Sequence, residues 1–313
     1  MVLPYRGSAR PPGPFGTTPG RLGRGIPGPL GFRQVDLGTT GATRASRTFT
    51  MPPPWHSSTI IRVSVVDWKL SDGLPTTTQV RQGALPNCPI AAVLAALAHT
   101  PVGQRYLDGL ITEYIGAVVK TTLSGDVMDK LVWEDEDKDD KPQAKQLVSK
   151  RYFSVKLKKR VDVHDTFYVK YTDGTDLDLV FMNSPNDVLW PSVIEKACAI
   201  HYGNYREMSN YKKHTANELW EVVVGSAPQA FTVEDSTDIE KIRDAARVAN
   251  SVPTIAASRE HVSLGTLTPW HGFAVLGMQG HNIELYDPAK AKPLTLSFED
   301  FRNNFQMILY GSP

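Results

Sequence analysis

The chain has 313 residues, 41% of them hydrophobic, and a formal net charge of +1, which is enough apolar material for one sizeable folded unit. Two cysteines, Cys88 and Cys198, exclude a disulfide framework and point to a reducing compartment. The longest apolar run, Ile90–Ala98, is far short of a membrane span, and the first residues lack the apolar core of a secretory signal. The expected location is therefore cytoplasmic, or outside the cell by a route that uses no classical signal peptide.

Charge is unevenly spread. Residues 1–55 hold seven Arg, no Lys and one acidic residue, giving +6, and the remainder carries −5. The same segment has ten Gly and ten Pro, a composition that cannot build a packed core. It reads as an extended arm, either a disordered leader or a docking segment that orders on an acidic protein partner.

Thr59–Val66 follows as a strand. Next comes Gln82-Gly83-Ala84-Leu85-Pro86-Asn87-Cys88-Pro89, running into the apolar helix Ile90–Ala98. A thiol at a helix start meets unpaired N–H groups and the positive end of the macrodipole, which favour negative charge on sulfur. Gln82, six residues upstream, can aim its amide N–H at the same point as an oxyanion donor. A lone cysteine among Ala and Leu is more often a small core residue, so this reading needs a base elsewhere. Cys198 fits the core role.

Further along, apolar spacing predicts a helix over 102–119. Glu134–Asp140, six acids around Lys138, reads as a solvated loop and lacks the spacing of an EF-hand. Phe167–Tyr171 and Leu177–Phe181 flank Asp173-Gly174 and predict a hairpin. Helices are predicted over 189–205, 215–224 and 239–249. Strands are predicted over 254–257, 272–277, 283–286 and 305–310.

The last strands carry the missing partners. His271 enters an apolar strand 183 residues after Cys88, and Asp287 ends the next strand 16 residues later. A hairpin would let the carboxylate hold the imidazole while its other nitrogen faces Cys88. The ten-residue spacing of His261, His271 and His281 fits no zinc pattern. The core shows no Gly-rich phosphate loop and no interleaved basic and aromatic stripe, so no nucleic-acid partner is expected.

Four blocks, taken together, resemble the calpain-type (papain-like) cysteine proteases across residues 60–310. Gln82–Cys88 is similar to the family's Gln-Gly-x-Leu-x-Asp-Cys-Trp segment, and Leu189–Ala197 to its Leu-Trp-Pro-Ala-Leu-Leu-Glu-Lys-Ala helix. His271–Gly277 resembles His-Ala-Tyr-Ser-Val-Leu-Gly, and Leu296–Phe301 resembles Met-Ser-Phe-Glu-Asp-Phe. Three positions depart from the pattern. Pro89 stands in place of Trp, Asp287 in place of Asn, and Ala289 in place of the Trp that shields the His–Asn contact; this last change is expected to let water reach that contact.

The resemblance implies an α+β, two-lobed papain-like core, with a helical Cys lobe over about 56–205 and a β-rich His lobe over about 206–313. It implies a thiol endopeptidase that cleaves protein or peptide substrates through Cys88, His271 and Asp287, with Gln82 and the Cys88 N–H as the oxyanion hole. No cofactor is expected; calcium is possible in the family, but its ligands are not assignable here. Two alternatives stay open: an idle, calpain-like docking component of a larger assembly, and a deamidase or transglutaminase on the same fold.

Overall fold

The computed structural model describes residues 61–121, 147–172, 176–210 and 213–313. The arm, the acidic run at 134–140 and the turn at 173–175 lie outside the described residues. The fold is α+β.

Helix α1, Cys88–His99, runs through the larger of the two buried cores among the described residues. Every residue from Cys88 to Ala98 is buried, as expected of a helix that is apolar all round. Thr100 ends it and caps α2, Pro101–Leu110, by accepting the Gly103 N–H at 3.1 Å. The helix predicted over 102–119 stops there, because the chain continues as strand β2, Ile111–Thr121. Ile111, Thr112, Tyr114, Ile115 and Val119 are β-branched or aromatic, and they find a partner in β3, Leu147–Lys156. Strand β4, Arg160–His164, completes that antiparallel sheet in the order β2-β3-β4.

A second three-stranded sheet contains β1 (Ile61–Val65), β5 (Thr166–Thr172) and β6 (Asp176–Leu179), with β5 in the middle. The β5–β6 pair is the hairpin predicted around Asp173-Gly174, with Val169 opposite Leu179. The segment expected to form a helical lobe thus carries two sheets as well as helices. Helix α3, Trp190–His201, packs among them, and the short α4, Tyr205–Met208, follows. Helix α5, Ala216–Val224, opens on a Thr215/Glu218 capping box and closes on Gly225 at φ 82°. Its Leu219 and Trp220 join the same core as α1, although they lie past the expected boundary at 205/206.

The third sheet has six strands, all paired antiparallel: β7 (Gln229–Thr232), β8 (Thr254–Ser258), β9 (Gly272–Gln279), β10 (Asn282–Asp287), β11 (Lys292–Ser297) and β12 (Phe305–Tyr310). Their order is β11-β10-β9-β8-β12-β7. The period-2 alternation of strands divides this sheet cleanly. Ile255, Ala274, Tyr286 and Leu309 belong to the α1 core. Their neighbours Ala256, Phe273, Val275, Leu285 and Ile308 belong to a second core with α6 (Ile239–Val248) and α7 (Phe298–Asn304). The sheet is covered on both faces, and α1 lies directly against β9.

Candidate active site

The site forms where the N-terminus of α1 meets the start of β9. Small residues make that approach possible. A Cβ placed on Gly272 would sit 3.0 Å from the Cys88 carbonyl oxygen and 3.3 Å from Ala92 Cβ, so the strand presses on the helix because this position has no side chain. Gly83 is tighter still: a Cβ there would lie 2.0 Å from the Phe181 carbonyl oxygen. The loop before Cys88 is therefore locked onto the 180–183 segment, with Ala84 N–H bonded to Val180 O and Arg81 N–H to Asn183 O. Two further bonds tie the loop to the end of β10. Gln82 N–H donates to Pro288 O at 2.9 Å, and the Tyr286 hydroxyl donates to Val80 O at 2.8 Å.

The structure brings Cys88, His271 and Asp287 together. His271 Nε2 lies 2.9 Å from Asp287 Oδ1, and the imidazole also makes a side-chain hydrogen bond with Cys88. With Nε2 engaged by the carboxylate, Nδ1 is the nitrogen left for sulfur. His271 is 4% exposed and Asp287 is fully buried. Ala289 therefore does not admit water to the contact, contrary to the expectation drawn from the missing Trp. Ala289 instead donates its backbone N–H to Asp287 Oδ1 at 3.0 Å. Lys290 places Nζ 3.2 Å from Asp287 Oδ2 as an ion pair rather than an aligned hydrogen bond, while donating to Thr266 O at 2.6 Å.

These partners set the charges. Burial works against a charged imidazole, but the bonds to Asp287 and Cys88 outweigh it and push the His271 pKa up to about 9. Burial also works against the Asp287 carboxylate; His271 and then Lys290 overcome it and hold its pKa below the ordinary value. Each member favours the ionised form of its neighbour. At neutral pH the pair is imidazolium and carboxylate.

Supporting groups fix the imidazole. Ser258, fully buried at the end of β8, accepts the His271 backbone N–H at 2.8 Å and donates to Thr268 O at 2.7 Å. Phe273 meets the ring edge-on, with centroids 4.8 Å apart. Trp270 precedes His271 with φ at 51°, a left-handed conformation that is costly for a bulky residue. Its carbonyl oxygen lies 3.9 Å from Cys88 Sγ and accepts from the thiol when that is protonated, and the residue is 38% exposed beside the site.

The expected oxyanion donors are present in part. Cys88 is the first residue of α1, so its N–H has no intrahelical acceptor, and Pro89 after it has no N–H to compete. Gln82 Nε2 donates to Leu85 O at 2.6 Å, which uses one of its two N–H groups and turns the amide towards its own loop. Cys198 lies on α3 away from this chemistry; burial, and then Glu195, push its thiol far above the ordinary range. Among the described residues no group of three or more His, Cys, Asp or Glu is arranged to hold a metal ion, and no helix is long and apolar enough to cross a membrane.

Sequence reasoning missed Lys290, Ser258, Trp270, Asn87 and Glu195 as parts of this neighbourhood. Lys290, Trp270 and Asn87 lie within three residues of Asp287, His271 and Cys88 and so left a local signal, whereas Ser258 and Glu195 did not. Compared with known families and with curated proteins, the sequence matches no family model and no curated sequence.

Proposed function

We propose that this chain is a thiol peptidase of papain-like, calpain-type architecture, acting through Cys88, His271 and Asp287. What carries the reading is one juxtaposition: a cysteine at the uncapped start of a buried helix, bonded to an imidazole whose other nitrogen is held by a buried carboxylate. The same order of residues along the chain, and the four segments that resemble the calpain-type proteases, support it. Two cores meeting at α1 and β9 suit a two-lobed catalytic unit with its site at the junction.

In this mechanism the reactive form is the Cys88 thiolate paired with the His271 imidazolium, and the thiolate attacks the carbonyl carbon of the scissile amide, forming a C–S bond. Negative charge collects on the carbonyl oxygen, where the Cys88 N–H and the second Gln82 amide N–H meet it, an interaction worth on the order of 3 kcal/mol per donor. As the tetrahedral species collapses, the C–N bond breaks and the His271 imidazolium gives its proton to the departing amine. Water then enters, loses a proton to His271 and cleaves the thioester, returning the free acid and Cys88. Asp287 keeps the ring in the required tautomer and offsets its charge throughout.

A Cys–His–Asp set also serves attack on the side-chain amide of glutamine. A direct test presents a mixed peptide library to the full chain and to Cys88→Ser, then assays new peptide termini and released ammonia separately. The proposal expects new termini from the wild-type chain and none from the variant. Ammonia without new termini would assign a deamidase or transglutaminase, and neither product would assign an idle member.

A further inference from the structure

Glu195 is a carboxyl group that the proposed mechanism does not use, yet it is 1% exposed in the middle of α3. Its Oε1 lies 2.5 Å from Asn87 Nδ2, and its Oε2 accepts the Met182 N–H at 3.0 Å. Asn87 is the residue before Cys88 and the N-cap of α1. Asparagine at that position ordinarily caps its own helix. Here its side chain makes no cap bond and instead reaches Glu195, 108 residues along the chain. The capping interaction is given up for a tertiary one, and the N–H groups around Cys88 are left uncapped.

We propose that Glu195 is a positioning residue for Cys88: through the Asn87 side chain it anchors the turn from which α1 presents the thiol to His271. The inference rests on Cys88 being the nucleophile. It concerns a residue that touches neither substrate nor reacting atoms.

The protonation state fits the role. Burial raises the Glu195 pKa to about 8, against the lowering by its bonds to Asn87 and Met182, so the group is mainly a neutral acid at pH 7. The titratable groups around it are Cys198 on its own helix and Tyr205 on α4, both raised by burial and neutral at that pH. A neutral acid needs one acceptor and supplies one donor. Asn87 Oδ1 is buried with no partner, and turning that amide over offers it to the acid proton while Met182 N–H keeps Oε2. A glutamine at 195 offers the same carbonyl acceptor to Met182 N–H and one of its two N–H groups to Asn87 Oδ1, and so should serve in place of the acid.

The test measures the second-order rate of Cys88 alkylation by iodoacetamide in the full chain, site-mapped by mass spectrometry, across pH 5–9. Variants are Glu195→Ala, Glu195→Gln, Asn87→Ala and the Glu195→Ala/Asn87→Ala double, with a thermal melt on each. We expect Glu195→Ala and Asn87→Ala each to slow Cys88 at least tenfold at pH 7, with no further loss in the double variant, since both remove one contact. Glu195→Gln should stay within about threefold of wild type, as replacement of a donor–acceptor pair by its isostere predicts. A purely structural role would lower the melting temperature of Glu195→Ala without a matching loss in Asn87→Ala. If Glu195→Ala does not fold, Asn87→Ala alone decides: wild-type reactivity there overturns the inference. A fast wild-type Cys88 with equally fast, folded Glu195→Ala overturns this inference alone. A slow wild-type Cys88 overturns the assignment of the nucleophile, and this inference with it.

Discussion

Replacing Asp287 by asparagine separates the charge of the third residue from its shape, and the structure predicts a larger effect than a near-isostere would suggest. Asp287 Oδ1 accepts from both His271 Nε2 and Ala289 N, while Oδ2 faces the Lys290 ammonium at 3.2 Å. An asparagine must keep its oxygen on the Oδ1 side to serve those two donors. That places its NH₂ against Lys290, donor facing donor, in a fully buried position. Turning the amide over moves the conflict to His271. The variant therefore loses the charge and gains an opposed contact. His271, held at about 9 by Asp287 and Cys88, should fall towards its ordinary value of 6.5. At pH 7.5 the imidazolium fraction would drop from about 97% to about 9%, roughly tenfold, if the whole shift were lost. The assay is a full pH–rate profile of Cys88 alkylation or peptide hydrolysis. Asp287→Asn should move the basic limb down by one to two pH units, by the same arithmetic. Asp287→Ala should cost more, because it also leaves Ala289 N–H and His271 Nε2 without acceptors. Asp287→Asn/Lys290→Met should recover part of the loss by removing the opposed donor. A profile for Asp287→Asn that overlays wild type from pH 5 to 9 would refute the reasoning.

Other consequences follow from the same geometry. Gly83→Ala puts a Cβ 2.0 Å from the Phe181 carbonyl oxygen, so backbone must move; thermal melts should show a clear loss of stability, of about 1–3 kcal/mol, whereas Gly272→Ala, at 3.0 Å from Cys88 O, should fold well and chiefly slow Cys88. Burial raises the Glu195 pKa from 4.5 to about 8, so its contribution to stability is fully present below pH 4.5 and lost as pH rises through 8. Melting curves of Glu195→Gln should accordingly fall less than wild type between pH 5 and 8; parallel curves would contradict the raised pKa.

The chemistry-bearing residues were legible because their signals are local. A cysteine before a proline and an apolar helix, and a histidine and an aspartate on adjacent strands, show themselves in short windows. The 239–249 helix and the strand at 305–310 were legible for the same reason. What stayed hidden depends on distant partners. Residues 111–119 lie next to a real helix and continue its apolar spacing; they become a strand because β3 arrives from thirty or more residues away to pair with them. The Asn87–Glu195 contact spans 108 residues, and Ser258 reaches His271 only because β8 and β9 pair. The burial of Asp287 was misjudged from Ala289 because the shielding was assigned to one side chain. The carboxylate is enclosed by its own sheet and by the loop pinned through Gln82 and Tyr286.

The most direct measurement is covalent labelling of the folded chain at pH 7 with a peptidyl chloromethyl ketone or epoxysuccinyl probe, followed by peptide mapping. Cys88 and Cys198 are both buried, so exposure alone does not separate them. Cys198 has its thiol pushed up by full burial, whereas Cys88 is bonded to His271 at the start of α1. One probe per chain, on Cys88 alone and lost in His271→Ala, is the result this account predicts. Equal modification of both cysteines, or undiminished labelling of Cys88 in His271→Ala, would contradict it.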